Sequence, residues 1–209
     1  MTRYEILTEV EARMIERGAT VQLAAGGHVT PLALDTLRER RITVVRDDGR
    51  GDDTALAPRM PVARVAVGSD HTGIGLRRAI RDHLRRQGLA VQEIGPDTPD
   101  PADYPDTAGA VARLVARGEV DAGIAIDGAG LGSAIAANKV PGVRAAMCTD
   151  RTLARYAREH NGVNVLALGA TLVTTDAALA IVDTWRATAM TEARYIRRLA
   201  KIQALERDR

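Results

Sequence analysis

The sequence predicts an α/β fold, a mostly parallel sheet with helices on both faces, and two observations carry that prediction. From residue 63 onward, short runs of Val, Ile, Leu and Ala alternate with longer segments of helical periodicity. Strands that alternate with helices in this way pair in parallel and are covered on both sides. Within that region residues 121–139 read DAGIAIDGAGLGSAIAANK, an apolar run ending in Asp127, a glycine turn, and an Ala-rich helix that starts near Ser133. A strand, a glycine turn and a helix in that order bring backbone N–H groups and a helix N-terminus to the carboxyl edge of a sheet, where α/β proteins bind ligands and anions.

Composition bounds the function classes. With 209 residues, 27% of them charged, and a formal net charge of +2, the chain reads as a globular protein with room for one full α/β domain and an appendage. Aromatic residues make up 2% and Phe is absent, which argues against a base-stacking platform and so against a nucleic-acid partner. One cysteine, Cys148, excludes an intrachain disulfide and a cysteine cluster for zinc. The first residues are charged throughout and lack the apolar core of a signal peptide, and no run reaches transmembrane length. A cytoplasmic location without a membrane partner is the expectation.

Taken in order, residues 4–17 place Ile6, Leu7, Val10, Met14 and Ile15 at helical spacing, which predicts an amphipathic helix. Residues 21–23 suit a short strand, and Gly26-Gly27 breaks it. Thr30 then caps a helix with Pro31 at its first position and Leu32, Leu34 and Leu37 along it to Arg41. Residues 42–45 form another β run. Residues 47–61, DDGRGDDTALAPRMP, are acid, Gly and Pro without periodicity, a linker between an appendage of residues 1–46 and a domain of residues 62–209. In that domain strands are expected at 63–69, 89–94, 121–127, 143–148 and 163–168, and helices near 73–87, 107–117, 133–139, 151–160, 175–188 and 191–207. The first strand ends in Gly68-Ser69-Asp70-His71 and the third in Asp127, so a parallel sheet would place Asp70, His71 and Asp127 on one edge.

Five segments in this order, GSDHTG (68–73), DYPD (103–106), DGAGLGSAIAANK (127–139), GVRAAMCTD (142–150) and EHNGVNVLALG (159–169), resemble the ribose-5-phosphate isomerase B / galactose-6-phosphate isomerase family over about two-thirds of the chain. The resemblance implies a Rossmann-like three-layer α/β/α sandwich with a five-stranded parallel sheet. It also implies a homodimer or dimer of dimers with active sites at the subunit interface, and aldose–ketose isomerisation of a phosphorylated sugar without metal or cofactor. Residue by residue, it gives Asp70 and His71 sugar and phosphate contacts and makes the backbone around Gly128, Gly130 and Gly132 an anion hole for the enediolate. It makes His160 the group that opens the furanose ring, Asn161 a partner for hydroxyls, and Arg194 and Arg198 a phosphate grip reaching the partner's site. The glycines suit close backbone approach, and two arginines four residues apart share one helix face.

The departures from the family are as informative. Members place a catalytic cysteine where this chain has Asp127 and a threonine where it has Ala129; others use a glutamate where it has Ser133, and a family arginine is replaced by Thr171. One of the two galactose-6-phosphate isomerase subunits shares the aspartate. Moving a carbonyl between C1 and C2 needs a base for a carbon-bound proton and hydrogen bonds for the oxygen's charge. Asp127 is the expected base; an unperturbed Asp, with pKa about 3.9, is feeble at neutral pH, so burial against Ile126 and Leu131 is expected to raise it. The alternative function is a non-catalytic sugar-phosphate-binding or partner subunit of a heteromeric isomerase.

Each signal also has a structural reading. Asp127 can cap the following helix, and His160-Asn161-Gly162 is an ordinary helix C-terminus. Arg194 and Arg198 can form a solvated face, Asp70-His71 a strand-end turn, and Cys148 a buried structural thiol. His28 and His83 read as surface residues. The segment GGHVTPLALDTLRERRI (26–42) resembles N-terminal segments of enzymes associated with bacterial microcompartments, such as ethanolamine-utilisation proteins, which implies docking onto a shell protein or partner enzyme through residues 1–46. So small a unit must bury its apolar face somewhere, and its own catalytic domain or dimer mate is the other choice.

Overall fold

The computed structural model describes residues 2–46, 56–190 and 192–207. It divides into two compact units, Met1–Asp52 and Asp53–Arg209. The first consists of β1 (Arg3–Leu7), α1 (Glu9–Met14), β2 (Thr20–Val29), α2 (Pro31–Glu39) and β3 (Thr43–Arg46), with three parallel strands in the order β1-β2-β3. The helix expected over residues 4–17 is therefore corrected to a strand followed by a short helix. Thr8 sets the break: its N–H donates to the Glu11 carboxylate at 2.7 Å, the Thr-x-x-Glu pattern that starts a helix at Glu9. Of the expected apolar face, Leu7 and Ile15 are buried and the other three residues are not. Leu7, Ala12 and Ile15 enter the core with Val21, Leu23, Val29, Ala33, Leu37 and Ile42, while Ile6, Val10 and Met14 are exposed.

β2 is also longer than expected, because Gly26-Gly27 lies in a bulge and does not end the strand. Pairing with β1 jumps from Tyr4↔Leu23 to Ile6↔His28, and Gly27 folds so tightly that a Cβ there would meet the Ala24 carbonyl oxygen at 2.8 Å. Residues 47–55, most of the expected linker, lie outside the described residues. Residues 56–61 belong to the second unit. Arg144 Nη2 donates to the Leu56 carbonyl at 2.9 Å, Arg158 Nη2 donates to that of Arg59 at 3.3 Å, and the Arg59 side chain lies 3.8 Å from the Asp121 carboxylate.

The second unit continues with β4 (Arg64–Ser69), α3 (Ile74–Arg86), β5 (Ala90–Ile94), α4 (Tyr104–Ala116), β6 (Ala122–Asp127), α5 (Leu131–Ala137), β7 (Ala145–Met147), α6 (Arg151–Asn161), β8 (Val165–Gly169), α7 (Thr175–Ala187) and α8 (Ala193–Arg207). Its five strands are all parallel, in the order β5-β4-β6-β8-β7. Strand alternation sorts the faces by size. Val65, Val67, Ile124, Ile126, Leu166 and Leu168 point toward α3, α6 and α7, where Leu76, Ile80, Ala157, Ile181 and Trp185 complete a large core. The opposite face carries Ala66, Ala125 and the glycines of β4 and β6 under α4 and α5. There α4 comes so close that a Cβ on Gly68 or Gly123 would meet Val111 at 2.6 Å. Among the described residues no helix is long and apolar enough to cross a membrane.

The contacts of residues 56–60 set where the first unit can be cut away. A chain lacking residues 1–52 keeps the acceptors of Arg144 and Arg158, whereas one lacking 1–60 strips carbonyl partners from two largely buried guanidinium groups. The longer deletion is expected to be less stable than the shorter by about 2–3 kcal/mol, read as a shift in urea midpoint; equal midpoints would show that these contacts contribute nothing.

Candidate active site

The carboxyl edge of the sheet gathers Asp70, His71 and Asp127. β4 and β6 pair in register to Ser69↔Ile126, and the Asp70 N–H donates to the Ile126 carbonyl at 3.2 Å. Asp70, 5% exposed, accepts from the Thr72 N–H at 2.9 Å and its hydroxyl at 2.6 Å, which caps the single 3-10 turn His71–Gly73. His71 Nδ1 lies 3.1 Å from the Ala102 N–H, which can donate to it, and 3.3 Å from the Ala102 carbonyl oxygen, which can accept from it, so this backbone group anchors the ring in either tautomer. The loop carrying Ala102 is held from beneath by Arg77, 1% exposed, which donates to the carbonyls of Ile94 and Pro96 and to the Asp97 carboxylate.

Asp127 organises the glycine turn. Its Oδ1 accepts from the N–H groups of Ala129, at 2.8 Å, and Gly130, and its Oδ2 accepts from the Ser133 N–H at 2.8 Å. Gly130 has φ +76°, and a Cβ there would lie 2.8 Å from the Leu168 backbone, so glycine is required by both conformation and space. On the other side the Thr171 hydroxyl and N–H both donate to the Gly128 carbonyl, at 2.7 and 3.0 Å. Thr171, which stands where the family has an arginine, thus ties the turn to the end of β8. The helix begins at Leu131, two residues earlier than expected. The N–H groups of Leu131 and Gly132 have no acceptor among the described residues, as the first turn of a helix leaves them. The Tyr104 ring lies over Gly132, where a Cβ would come within 2.5 Å of it; Tyr104 belongs to the DYPD segment, which carried no role in the sequence reading.

The expected rise in the Asp127 pKa is corrected by this geometry. Burial does push it up, but Ser133, through hydroxyl and amide, and the Gly130 and Ala129 amides outweigh that, and the carboxyl titrates below its ordinary value. The Ser133 hydroxyl favours the anion by proximity; it is buried and reaches no acceptor in full hydrogen-bond geometry. The helix-capping reading of Asp127 is the one these contacts describe.

His160, Asn161, Arg194 and Arg198 lie elsewhere in the chain. α6 starts at the carboxyl edge after β7 and runs back beside the sheet for about 16 Å, the length of its eleven residues. Its last turn therefore reaches the amino edge, where Gly162 caps it at φ +54° and Asn164 meets the start of β6 through Gly123. α8 packs there: the Tyr195 ring lies tilted against His160 and Leu199 lies against Gly162. The guanidinium groups of Arg194 and Arg198 sit 4.9 and 5.7 Å from the Tyr195 ring. One chain thus holds these two sets of residues on opposite edges of its sheet.

The remaining singled-out residues take structural places. Cys148 is buried and its thiol is pushed up to about 11, chiefly by burial and then by Asp150, which keeps it protonated at neutral pH. His28 is exposed, but His83 joins α3 to α7 through the Asp183 carboxylate at 2.9 Å. Among the described residues no group of three or more His, Cys, Asp or Glu side chains is gathered as for a metal ion.

Replacing Asp127 by Ala leaves three buried N–H groups without an acceptor and should cost roughly 2–4 kcal/mol of stability at pH 7. Because the folded carboxyl titrates below the unfolded one, its stabilisation is present above the unfolded pKa of about 3.9 and is lost as pH falls through the folded value. The gap between wild type and Asp127→Ala in urea unfolding should therefore close below about pH 4; a gap that widens in acid would contradict the assigned direction.

Residues 65–202 match the Ribose/Galactose Isomerase family. The chain is 41% identical over 146 residues to ribose-5-phosphate isomerase B of Escherichia coli, covering 70% of this chain and 98% of that one. It is 38% identical over 122 residues to the D-erythrulose-4-phosphate isomerase of Pectobacterium atrosepticum, covering 58% and 80%. The fold superposes on ribose-5-phosphate isomerase B of Clostridium thermocellum with a TM-score of 0.68 and 47% identity, covering 69% of this chain and 98% of that one. The Mycoplasma genitalium ribose-5-phosphate isomerase B, solved with bound ribulose-5-phosphate, gives 0.67 and 37%, covering 70% and 97%. With its parallel sheet, its glycine turn and its match over most of its length, the chain belongs to the ribose/galactose isomerase family and is an aldose–ketose isomerase.

Proposed function

We propose that this isomerase acts on a phosphorylated sugar of the tetrose-to-hexose range, through an enediolate formed over the turn of residues 127–133. The observation that carries the reading is the turn itself. Its amides at Leu131 and Gly132 are left without acceptors among the described residues, beside a buried carboxylate, the arrangement needed to hold an oxygen whose charge grows as a proton leaves the adjacent carbon. Asp127 is the proposed base through Oδ2, whose one hydrogen bond among the described residues is from the Ser133 N–H. Its depressed pKa makes it a weak base, so stabilisation of the enediolate by the free amides has to supply most of the rate. His71 and Asp70 are proposed to hold the sugar at the same edge.

The proposed completion of the site is a second copy of the chain, with two-fold symmetry. β7 is an edge strand, and a groove of about 420 Å³ runs beside it, lined by Met147 and Cys148 toward one end and by Tyr156 and Asn161 toward the other. Leu131, Ile135, Leu153 and Tyr156 expose apolar surface nearby. Two copies apposed antiparallel about a two-fold axis across this groove would bring the His160, Asn161, Arg194 and Arg198 of one to the Asp127 turn of the other. For the first unit we propose a docking role toward a microcompartment shell or partner enzyme, supported by the exposed Val10, Met14 and Leu32; the chain lacking residues 1–52 should then lose co-localisation while keeping turnover.

Two experiments test the chemistry. Incubated in deuterium oxide with tetrose, pentose and hexose phosphates, the protein should exchange the C1 or C2 proton of at least one; binding without exchange would favour the non-catalytic subunit. Asp127→Asn should lower turnover about a hundredfold. Because the base is ionised far below neutrality, kcat should stay flat on the acid side down to roughly pH 4–5, where a base with a raised pKa would give a limb near 6–7. Mixing His160→Gln with Asp127→Asn chains and reassembling them should restore roughly a quarter of wild-type activity, since half the dimers then hold one intact site. No recovery would place both residues in one chain's site.

A further inference from the structure

We infer that Tyr156 and Tyr195 are positioning residues that fix the His160 imidazole for opening of the sugar ring, an inference that rests on the isomerase reading above. The chain has four tyrosines in 209 residues, and two of them pack on this one histidine, Tyr156 stacked and Tyr195 tilted against it. Tyr156, one turn earlier on α6, lies with its ring centroid 4.8 Å from the imidazole and 15° from its plane. Tyr195 arrives from α8 at 4.6 Å and 33°, and it is 7% exposed, so its ring is held by the core and not by the ligand.

A working histidine is ordinarily oriented by a hydrogen bond on the nitrogen it does not use. His160 has no such bond. Among the described residues neither ring nitrogen has a hydrogen-bond partner, and the Glu159 carboxylate stays 3.9 Å from Nε2. Stacking fixes the plane of the ring while its nitrogens stay open to a ligand. The same tyrosines tie the imidazole to cations: Arg155 lies 4.7 Å from the Tyr156 ring, and Arg194 covers the Tyr195 ring and donates to its hydroxyl at 3.0 Å. A phosphate drawn to Arg194 and Arg198 would therefore find the imidazole at a set distance and angle.

The chemistry asks for that arrangement. In a furanose phosphate the C1–O4 bond breaks as the C1 hydroxyl gives up its proton and becomes the carbonyl, and O4 takes a proton up. A side chain that exchanges protons with those oxygens gains from a fixed plane and an unobstructed nitrogen. Removal of the carbon-bound proton afterwards belongs to the other half-site and does not need the clamp.

The test uses the full-length protein and two substrates. D-ribose 5-phosphate closes to a furanose through O4; D-erythrose 4-phosphate carries its phosphate on O4 and stays open. Anomer exchange of ribose 5-phosphate, followed by NMR saturation transfer, reads ring opening directly, and steady-state kinetics read turnover on both sugars. Tyr156→Leu and Tyr195→Leu should each slow anomer exchange and kcat on ribose 5-phosphate about tenfold, with KM and erythrose 4-phosphate turnover within about twofold of wild type. Tyr195→Phe, which keeps the ring, should recover most of the loss. Should Tyr195→Leu fail to fold, Tyr156→Leu, at a half-exposed position, still decides. Anomer exchange unchanged in the Leu variants, or equal losses on both sugars, would overturn the clamp. A wild-type protein that exchanges no carbon-bound proton of either sugar would instead sink the isomerase reading, and anomer exchange would still judge the tyrosines.

Discussion

The Asp127 carboxylate, accepting the N–H groups of Ala129, Gly130 and Ser133, is the interaction on which the carboxyl edge of the sheet depends. A chain leaving β6 must reverse within three residues to begin α5, and it can do so only with Gly130 at positive φ and the backbone pressed against the end of β8. In that conformation the amides of the turn point inward. Buried amides need acceptors, and a carboxylate at the end of the strand supplies three at once. The turn is further closed by Ala170 and Thr171, which donate to the carbonyls of Asp127 and Gly128. The edge is thus set by short-range hydrogen bonds before any ligand arrives.

The second constraint is topological. In a parallel sheet each crossover helix must return the chain to the amino edge, so residues at the end of a helix face the opposite way from residues at the end of a strand. Asp70, His71 and Asp127 follow strands; His160 and Asn161 end a helix. No side-chain rotation spans the length of α6. Apposition with a second molecule is the simplest geometry that unites them, and the open edge strand beside its apolar groove is consistent with it.

Much of the fold was legible because the second unit obeys simple rules. Its three central strands, β4, β6 and β8, are nearly continuous runs of apolar and small residues, as strands covered on both faces must be, the edge strand β5 alone mixing in Gln92 and Glu93, and its helices carry clear periodicity. The first unit misled because Ile6, Leu7, Val10 and Met14 happen to fall at helical spacing. The decisive local signal was the polar pair Thr8 and Glu11, which outweighs periodicity in so short a segment. In the site, strand ends could be placed on one edge from the sequence, but a pKa direction could not. Burial was visible in the neighbours Ile126 and Leu131, whereas the number of amides turned toward Asp127 depends on the loop's dihedral angles, which composition does not encode. Tyr104, over Gly132, and Tyr195, on His160, were invisible for a related reason: each meets its partner across a long sequence separation.

The two roles of Asp127 constrain each other. Every N–H that fixes the turn also favours the anion, and each unit of pKa so removed corresponds to about 1.36 kcal/mol of lost proton affinity. On the proposed mechanism the chain therefore cannot tighten its loop and strengthen its base together. A rigid loop gives something in exchange, because amides that are already aligned need no reorganisation when charge appears on the substrate oxygen. Among the described residues, Gly128, Leu131 and Gly132 are the donors of the turn left without an acceptor once Asp127 has taken its three. The chemistry proposed for this edge thus follows from a division of one short run of amides: some are spent inward on the carboxylate to hold the turn, and the rest face outward toward the enediolate.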